Sequence, residues 1–334
     1  MSDLFISNTR VPYREDFCLA LSQAGYRVCH YREGDIETLS CLGRVCLKNL
    51  VSLLEKERPE RVIVPEFSGI ALQFVPFRKR FKFKLISLCD DSMDMIEGND
   101  FSLLHRLARR WMPRHLDGMI VPGTAVGEWY ASRFGLKTVP MPLIADERRV
   151  RPELERVLPL SEKIRPTDKP VVAFVGRFVG LKNIPTLIRS FEPLKDRAQL
   201  ALIGGGPERE RLREMAPDAL FPGMLSGDDL LAWYNLVDIL VLPSTQEAYG
   251  AVTGEALMAG AKVVVSDRAG STDLVREGEN GYVFQPRDVD GLTGRLDALL
   301  QGLSPGRPLS LRPSLLPYRF GACFENVLRT LENL

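Results

Sequence analysis

Short apolar runs recur along this chain, each too brief for a core helix and each closed by glycine, serine or proline. Asp3-Leu-Phe-Ile-Ser7, Arg61-Val-Ile-Val-Pro65, Val171–Val175, Asp238-Ile-Leu-Val-Leu242 and Ala261-Lys-Val-Val-Val-Ser266 are the clearest. Between such runs lie stretches with helical spacing; in 44–56, for instance, Leu47, Leu50, Leu53 and Leu54 share one face. Buried strands alternating with helices demand a parallel sheet covered on both faces, an α/β architecture. In such sheets ligands sit beyond the carboxyl ends of the strands. With 334 residues the chain has room for two domains of this kind.

Further strands are expected at Arg27–Tyr31, Phe83–Leu88, Gly118–Val121, Gln199–Ile203 and Tyr282–Phe284, with helices over 14–25, 100–114 and 318–334. A polar, proline-dotted stretch from Arg148 to Pro170 reads as a linker with one short helix. The expected division is a first domain over 1–164, a second over 165–303, and a crossing segment with a closing helix over 304–334.

One turn carries the most chemistry. The run ending at Leu242 leads through Pro243-Ser-Thr-Gln-Glu-Ala-Tyr-Gly-Ala-Val-Thr-Gly-Glu255 into a helix. Small residues there leave main-chain amides uncovered at a helix start, an arrangement suited to an anion and above all a phosphate. Seven residues separate Glu247 from Glu255. Carboxylates would repel a phosphate, so their use is to accept hydrogen bonds from hydroxyls on either side of it. A sugar, a diphosphate and a ribose in a row make a nucleotide sugar. The plain alternative is a strand–turn–helix crossover with two solvated glutamates.

Other elements bring matching groups. Val171–Val175 ends in Gly176-Arg177, and a loop then delivers Lys182 ahead of a helix starting near Pro185. A planar guanidinium and a point charge five residues apart make a diphosphate clamp. The strand from Gln199 ends in Gly204-Gly-Gly-Pro207, without the spacing of a dinucleotide fingerprint. Met224 and Leu225 precede a helix running through Tyr234, which Asp228 and Asp229 are expected to cap. The Asp288-Val-Asp290 triplet follows a strand and is read as another helix cap, not a metal site.

These motifs, in this order from Val171 to Asp288, resemble the E-x7-E signature and companion segments of the retaining glycosyltransferases of family 4. The resemblance implies the GT-B architecture, two doubly wound Rossmann-like domains facing a cleft. It implies Arg177, Lys182 and Glu247 as catalytic groups. Gly176, Gly204, Gly205, Met224, Leu225, Tyr249, Gly250, Ala251, Val252, Thr253 and Glu255 would bind the donor. Transfer with retention, without a metal or other cofactor, onto a glycan or lipid-linked acceptor is the implied activity, as in polysaccharide or glycolipid synthesis. The chain departs from the pattern at Asn183, where glycine is usual, and no histidine directly follows Leu88. A sugar-nucleotide binding protein without turnover and a sugar-nucleotide epimerase are the alternatives.

On the acceptor side the strand-end rule selects Asn8, Arg10, Glu66, Asp90 and Asp91. A carboxylate there can orient a hydroxyl or cap a turn. Leu103, Leu104, Leu107 and Trp111 recur at helical spacing opposite Arg106, Arg109, Arg110 and Arg114, a surface suited to anionic lipid heads or, more ordinarily, to packing on the sheet. The balance of 44 basic and 43 acidic residues gives no field for nucleic acid. There is no run of about 18 apolar residues and no signal-peptide pattern near Met1, so a cytoplasmic protein, at most at the membrane's inner face, is expected. The six cysteines lack metal or redox spacing.

Overall fold

The structure, a computed structural model, describes residues 3–7, 12–30, 47–97 and 103–334. It divides into two compact units, residues 1–143 with 321–334, and residues 144–320.

In the first unit six parallel strands, β1 (Leu4–Ser7), β2 (Arg27–His30), β3 (Arg61–Pro65), β4 (Lys84–Leu88), β5 (Gly118–Val121) and β6 (Lys137–Pro140), lie in the order β2-β1-β3-β4-β5-β6. The strand order reverses between β1 and β3. Leu4, Ile6, Val62, Val64 and Leu85 on the strands join Leu50, Leu54, Phe74 and Tyr130 of the covering helices in one core. Each such side chain removed from water contributes about 1.5–3 kcal/mol. The closing helix, Phe320–Glu332, lays Phe324 edge-on against Phe17, with ring centroids 5.7 Å apart.

The second unit repeats the plan with β7 (Val171–Arg177), β8 (Gln199–Gly205), β9 (Leu220–Gly223), β10 (Val237–Leu242), β11 (Lys262–Ser266) and β12 (Gly281–Phe284). Its order is β12-β11-β10-β7-β8-β9, all parallel, reversing between β7 and β10. The two doubly wound α/β sheets match the expected fold class.

The compact units part after Leu143, not near Ile164. The proline-dotted stretch holds two helices, Glu147–Arg156 and Leu158–Ile164, in the second unit. Pro159 sits in a first turn, where no amide is needed, and Pro152 is accommodated inside its helix. Asn235 Nδ2 donates to Leu154 O (2.8 Å) and Ser161 Oγ (3.2 Å), and Arg151 donates to Met258 O and Arg312 O, both at 3.0 Å. Residues 303–317 are irregular and are pinned to this unit where Arg307 and Arg312 meet buried Asp238 at 2.7 and 3.3 Å.

Candidate functional site

The β7/β10 reversal is the place where a doubly wound sheet offers its carboxyl strand ends to a ligand. β7 ends on Arg177, in register with Gly205 at the end of β8. The two strand ends nearly touch. A Cβ on Gly204 (φ 138°) would lie 1.9 Å from the carbonyl oxygen of Gly176, so only glycine fits there. Phe178 N donates to Gly205 O (2.7 Å), locking the turn after β7 against the glycine run. Met224, exposed over 84% of its surface, packs beside Gly205, with Leu225 half-buried next to it.

The loop after β7 is tied to the loop after β10. Lys182 closes a short 3-10 turn, Gly180–Lys182, and Asn183 adopts the left-handed conformation (φ 51°). Asparagine tolerates that conformation better than most residues, which explains how it replaces glycine here. Its side-chain amide also donates to Pro243 O (3.0 Å) and Pro286 O (2.7 Å). Thr245 N donates to Leu181 O at 2.8 Å. Lys182 Nζ forms an ion pair with Glu247 Oε2, which also accepts from Ser244 Oγ at 3.2 Å. Arg177 is exposed and makes no ion pair among the described residues.

The Tyr249–Gly254 bend joins the same loop. Gly250 (φ 88°) lies so close to Leu242 that a Cβ would come within 2.4 Å of it. Ser271 N donates to Tyr249 O (2.9 Å), and the hydroxyls of Thr253 and Ser271 meet at 2.9 Å. Thr253 N is spent on Gly250 O at 3.0 Å. This corrects the expectation that its amide is uncovered. The amides of Gly250, Ala251 and Val252 have no acceptor among the described residues. Tyr249 is buried, so its side chain lies beneath the bend. Glu255 is half-buried on helix Val252–Met258, where Tyr234 Oη donates to its Oε2 and Oε1 accepts nothing among the described residues. Burial pushes the Glu255 carboxyl above its usual range and the Tyr234 phenol well above its own.

The structure therefore gathers Lys182, Glu247 and the Gly250–Val252 amides on one loop system, with Glu255 on the helix that follows and Arg177, Gly204, Gly205 and Met224 at the neighbouring strand ends. Ser244, Thr245 and Ser271 support it, and the sequence reading overlooked them. Asp228 does not cap its helix, whose first residue follows Ser226; its carboxylate pairs instead with exposed Arg156. Asp288 is a cap, accepting from Gly291 N at 2.8 Å. A hollow of about 250 Å³, lined by Ile188, Phe191, Gln199 and Ala219, opens at the amino ends of β7 and β8, away from these groups.

In the first unit, the β1/β3 reversal collects Glu66 after β3, Asp90 after β4, and Arg14 from helix Pro12–Gln23. Arg14, almost wholly buried, pairs with Asp90. Glu66 holds a left-handed backbone (φ 48°), fixed by its amide donating to Leu88 O (2.8 Å) and its carbonyl accepting from Ser87 Oγ (3.1 Å). Burial, aided by the Asp90 charge, pushes its carboxyl up to about 7. Asp91 is set apart. Both its oxygens are taken by Arg109, and Tyr130 Oη donates to it at 2.8 Å, so it braces the core and is not open to an acceptor. Asn8 and Arg10 lie outside the described residues.

Residues 169–302 match the family described as Glycosyl transferases group 1. The chain is 36% identical over 138 residues to the sulfoquinovosyl transferase of Arabidopsis thaliana, covering 40% of this chain and 27% of that one. It is 29% identical over 216 residues to a GDP-mannose-dependent phosphatidylinositol monomannoside mannosyltransferase of Mycobacterium tuberculosis, covering 58% and 56%. The chain thus spans about a quarter to just over half the length of these relatives. Among solved structures, the Anabaena protein HepE in complex with UDP-glucose matches all of both chains with a TM-score of 0.73 at 16% identity, a likeness of fold. The group 1 match falls on the unit that carries Arg177, Lys182 and the Glu247–Glu255 turn.

Proposed function

We propose that this protein is a retaining glycosyltransferase that binds a nucleotide sugar at the β7/β10 crevice and moves the sugar to a hydroxyl of a glycan or lipid-linked acceptor. The observation that carries the reading is the Lys182–Glu247 ion pair between the loops after β7 and β10, the second of which runs on into the amide-rich bend, within the segment that matches group 1 glycosyl transferases. The names of the two relatives and of the solved neighbour mention sugar transfer, GDP-mannose and UDP-glucose, which supports a nucleotide-sugar donor without choosing the base.

In the proposed reaction the bond from the anomeric carbon to the phosphate oxygen breaks, its electron pair leaving with the diphosphate. The acceptor oxygen bonds to the carbon from the same face, and its proton passes to a departing phosphate oxygen. Arg177, Lys182 and the amides of Gly250–Val252 stabilise the charge that develops on the diphosphate, each preorganised donor of this kind being worth about 3–4 kcal/mol of barrier. The reaction is proposed without a metal, as the resemblance to family 4 implies. Glu247 takes the sugar hydroxyls and the free oxygen of Glu255 takes the ribose. Glu66 and Asp90 are the acceptor-side candidates of the first unit.

A transfer assay over a panel of sugar nucleotides tests the reading. Lys182→Ala or Glu247→Ala should abolish transfer while leaving the circular dichroism spectrum unchanged. Wild-type rates in both variants, binding without turnover, or a donor returned with altered sugar stereochemistry would each reject it.

We further propose contact with an anionic membrane through helix Leu103–Trp111. Leu107 and Trp111 are about half exposed beside exposed Arg106, Arg110 and Arg114, whereas Arg109 turns inward to Asp91. Each such cation adds about 1 kcal/mol of attraction near acidic lipid heads. Among the described residues no helix is long and apolar enough to cross a membrane. Co-sedimentation with phosphatidylglycerol vesicles should fall when Arg106 and Arg110 become Glu; unchanged sedimentation would exclude this face.

A further inference from the structure

The residue assigned to the donor's sugar is bonded to the cation assigned to its diphosphate. Glu247 Oε2 accepts from Lys182 Nζ, both side chains being about 15% exposed (14% and 16%), and Ser244 Oγ holds the same carboxylate oxygen at 3.2 Å. The pairing is enforced by backbone, since Thr245 N to Leu181 O and Asn183 Nδ2 to Pro243 O stitch the two loops together. A diphosphate drawn to Lys182 therefore meets a fixed negative charge that already uses part of that cation. With little solvent to screen it, the opposition is larger than at an exposed pair.

We infer that Glu247 discriminates between the nucleotide sugar and the nucleoside diphosphate left after transfer. Toward the diphosphate alone, the carboxylate competes for Lys182 and weakens binding. Toward the intact donor, it recovers that cost by accepting hydrogen bonds from the sugar. Once the sugar has gone, only the opposition remains, and the leaving diphosphate is expelled. The inference rests on the site reading above, but it makes a separate prediction: removing the negative charge tightens product binding.

The probes are UDP with UDP-glucose, GDP with GDP-mannose and ADP with ADP-glucose, titrated calorimetrically into the full chain. For the pair that binds, Glu247→Gln should lower the Kd of the free diphosphate about three- to tenfold while the Kd of the sugar nucleotide stays level or rises. Glu247→Ala serves as the second variant should the Gln protein fail to fold. In a Lys182→Ala background the tightening should vanish, which a purely structural effect of the Glu247 substitution would not do. A diphosphate Kd that is unchanged or higher in both Glu247 variants, with wild-type binding intact, overturns the inference and leaves the site reading standing. If wild-type protein binds none of the six nucleotides, the site reading itself falls, and the inference with it.

Discussion

Glu66 shows how a single buried carboxyl sets a pH dependence. Its folded pKa is raised to about 7, first by burial and then by Asp90, while Arg14 and Arg109 pull against the shift and Asp91 adds to it. Between roughly 4.5 and 7 the unfolded chain has released this proton and the folded chain still holds it. Stability from this group is thus fully present below about pH 4.5 and falls as the pH climbs through 7. Glu66→Gln should raise the melting temperature by a few degrees at pH 8 and leave it nearly unchanged at pH 5; equal shifts at both would contradict the assignment. At Asn183 the issue is backbone conformation. Asn183→Ala should cost about 1 kcal/mol more than Asn183→Gly in urea denaturation, because only the glycine adopts φ 51° freely. Equal costs would show that the side-chain bonds, and not the turn, decide. The roles of Asp91 and Asn183 were not legible in the sequence. Asp91's partners come 18 and 39 residues later, and the Pro243 and Pro286 carbonyls that Asn183 reaches come 60 and 103 residues later.

Among the elements, the central strands and the edge strands β2 and β12 are legible in the sequence, and the edge strands β6 and β9 are not. β7, β8, β10 and β11 are buried on both faces, so their sequences are nearly unbroken apolar runs. β6 and β9 lie at sheet edges, are only partly buried and contain Pro140 and Pro222, which an edge strand tolerates because an amide facing outward needs no partner. The glycine run after β8 was noticed for its ligand chemistry, yet its tightest requirement is internal. Gly204→Ala would force the ends of β7 and β8 apart, at a cost of roughly 2–4 kcal/mol, and weaken nucleotide binding with it. An unchanged melting temperature and unchanged nucleotide affinity would show that the close approach to Gly176 is dispensable.

For the whole chain, alternating strands and helices were enough to expect two parallel α/β sheets, but not where one compact unit gives way to the next. Prolines between Arg148 and Pro170 suggested a tether. The helices there instead belong to the second unit through Asn235 and Arg151, side chains whose bonding partners no local pattern reveals. The candidate donor site was more legible because its residues cluster at strand ends in one half of the chain, where motif and topology coincide. Its central claim is that Arg177, Lys182 and the Gly250–Val252 amides converge on one diphosphate. Calorimetric titration of UDP, GDP and ADP into wild-type protein and the Arg177→Ala, Lys182→Ala double variant tests this most directly. The account predicts one site in the wild type for at least one of the three, weakened about a hundredfold or more in a double variant that still folds. Undiminished affinity in that variant would contradict it.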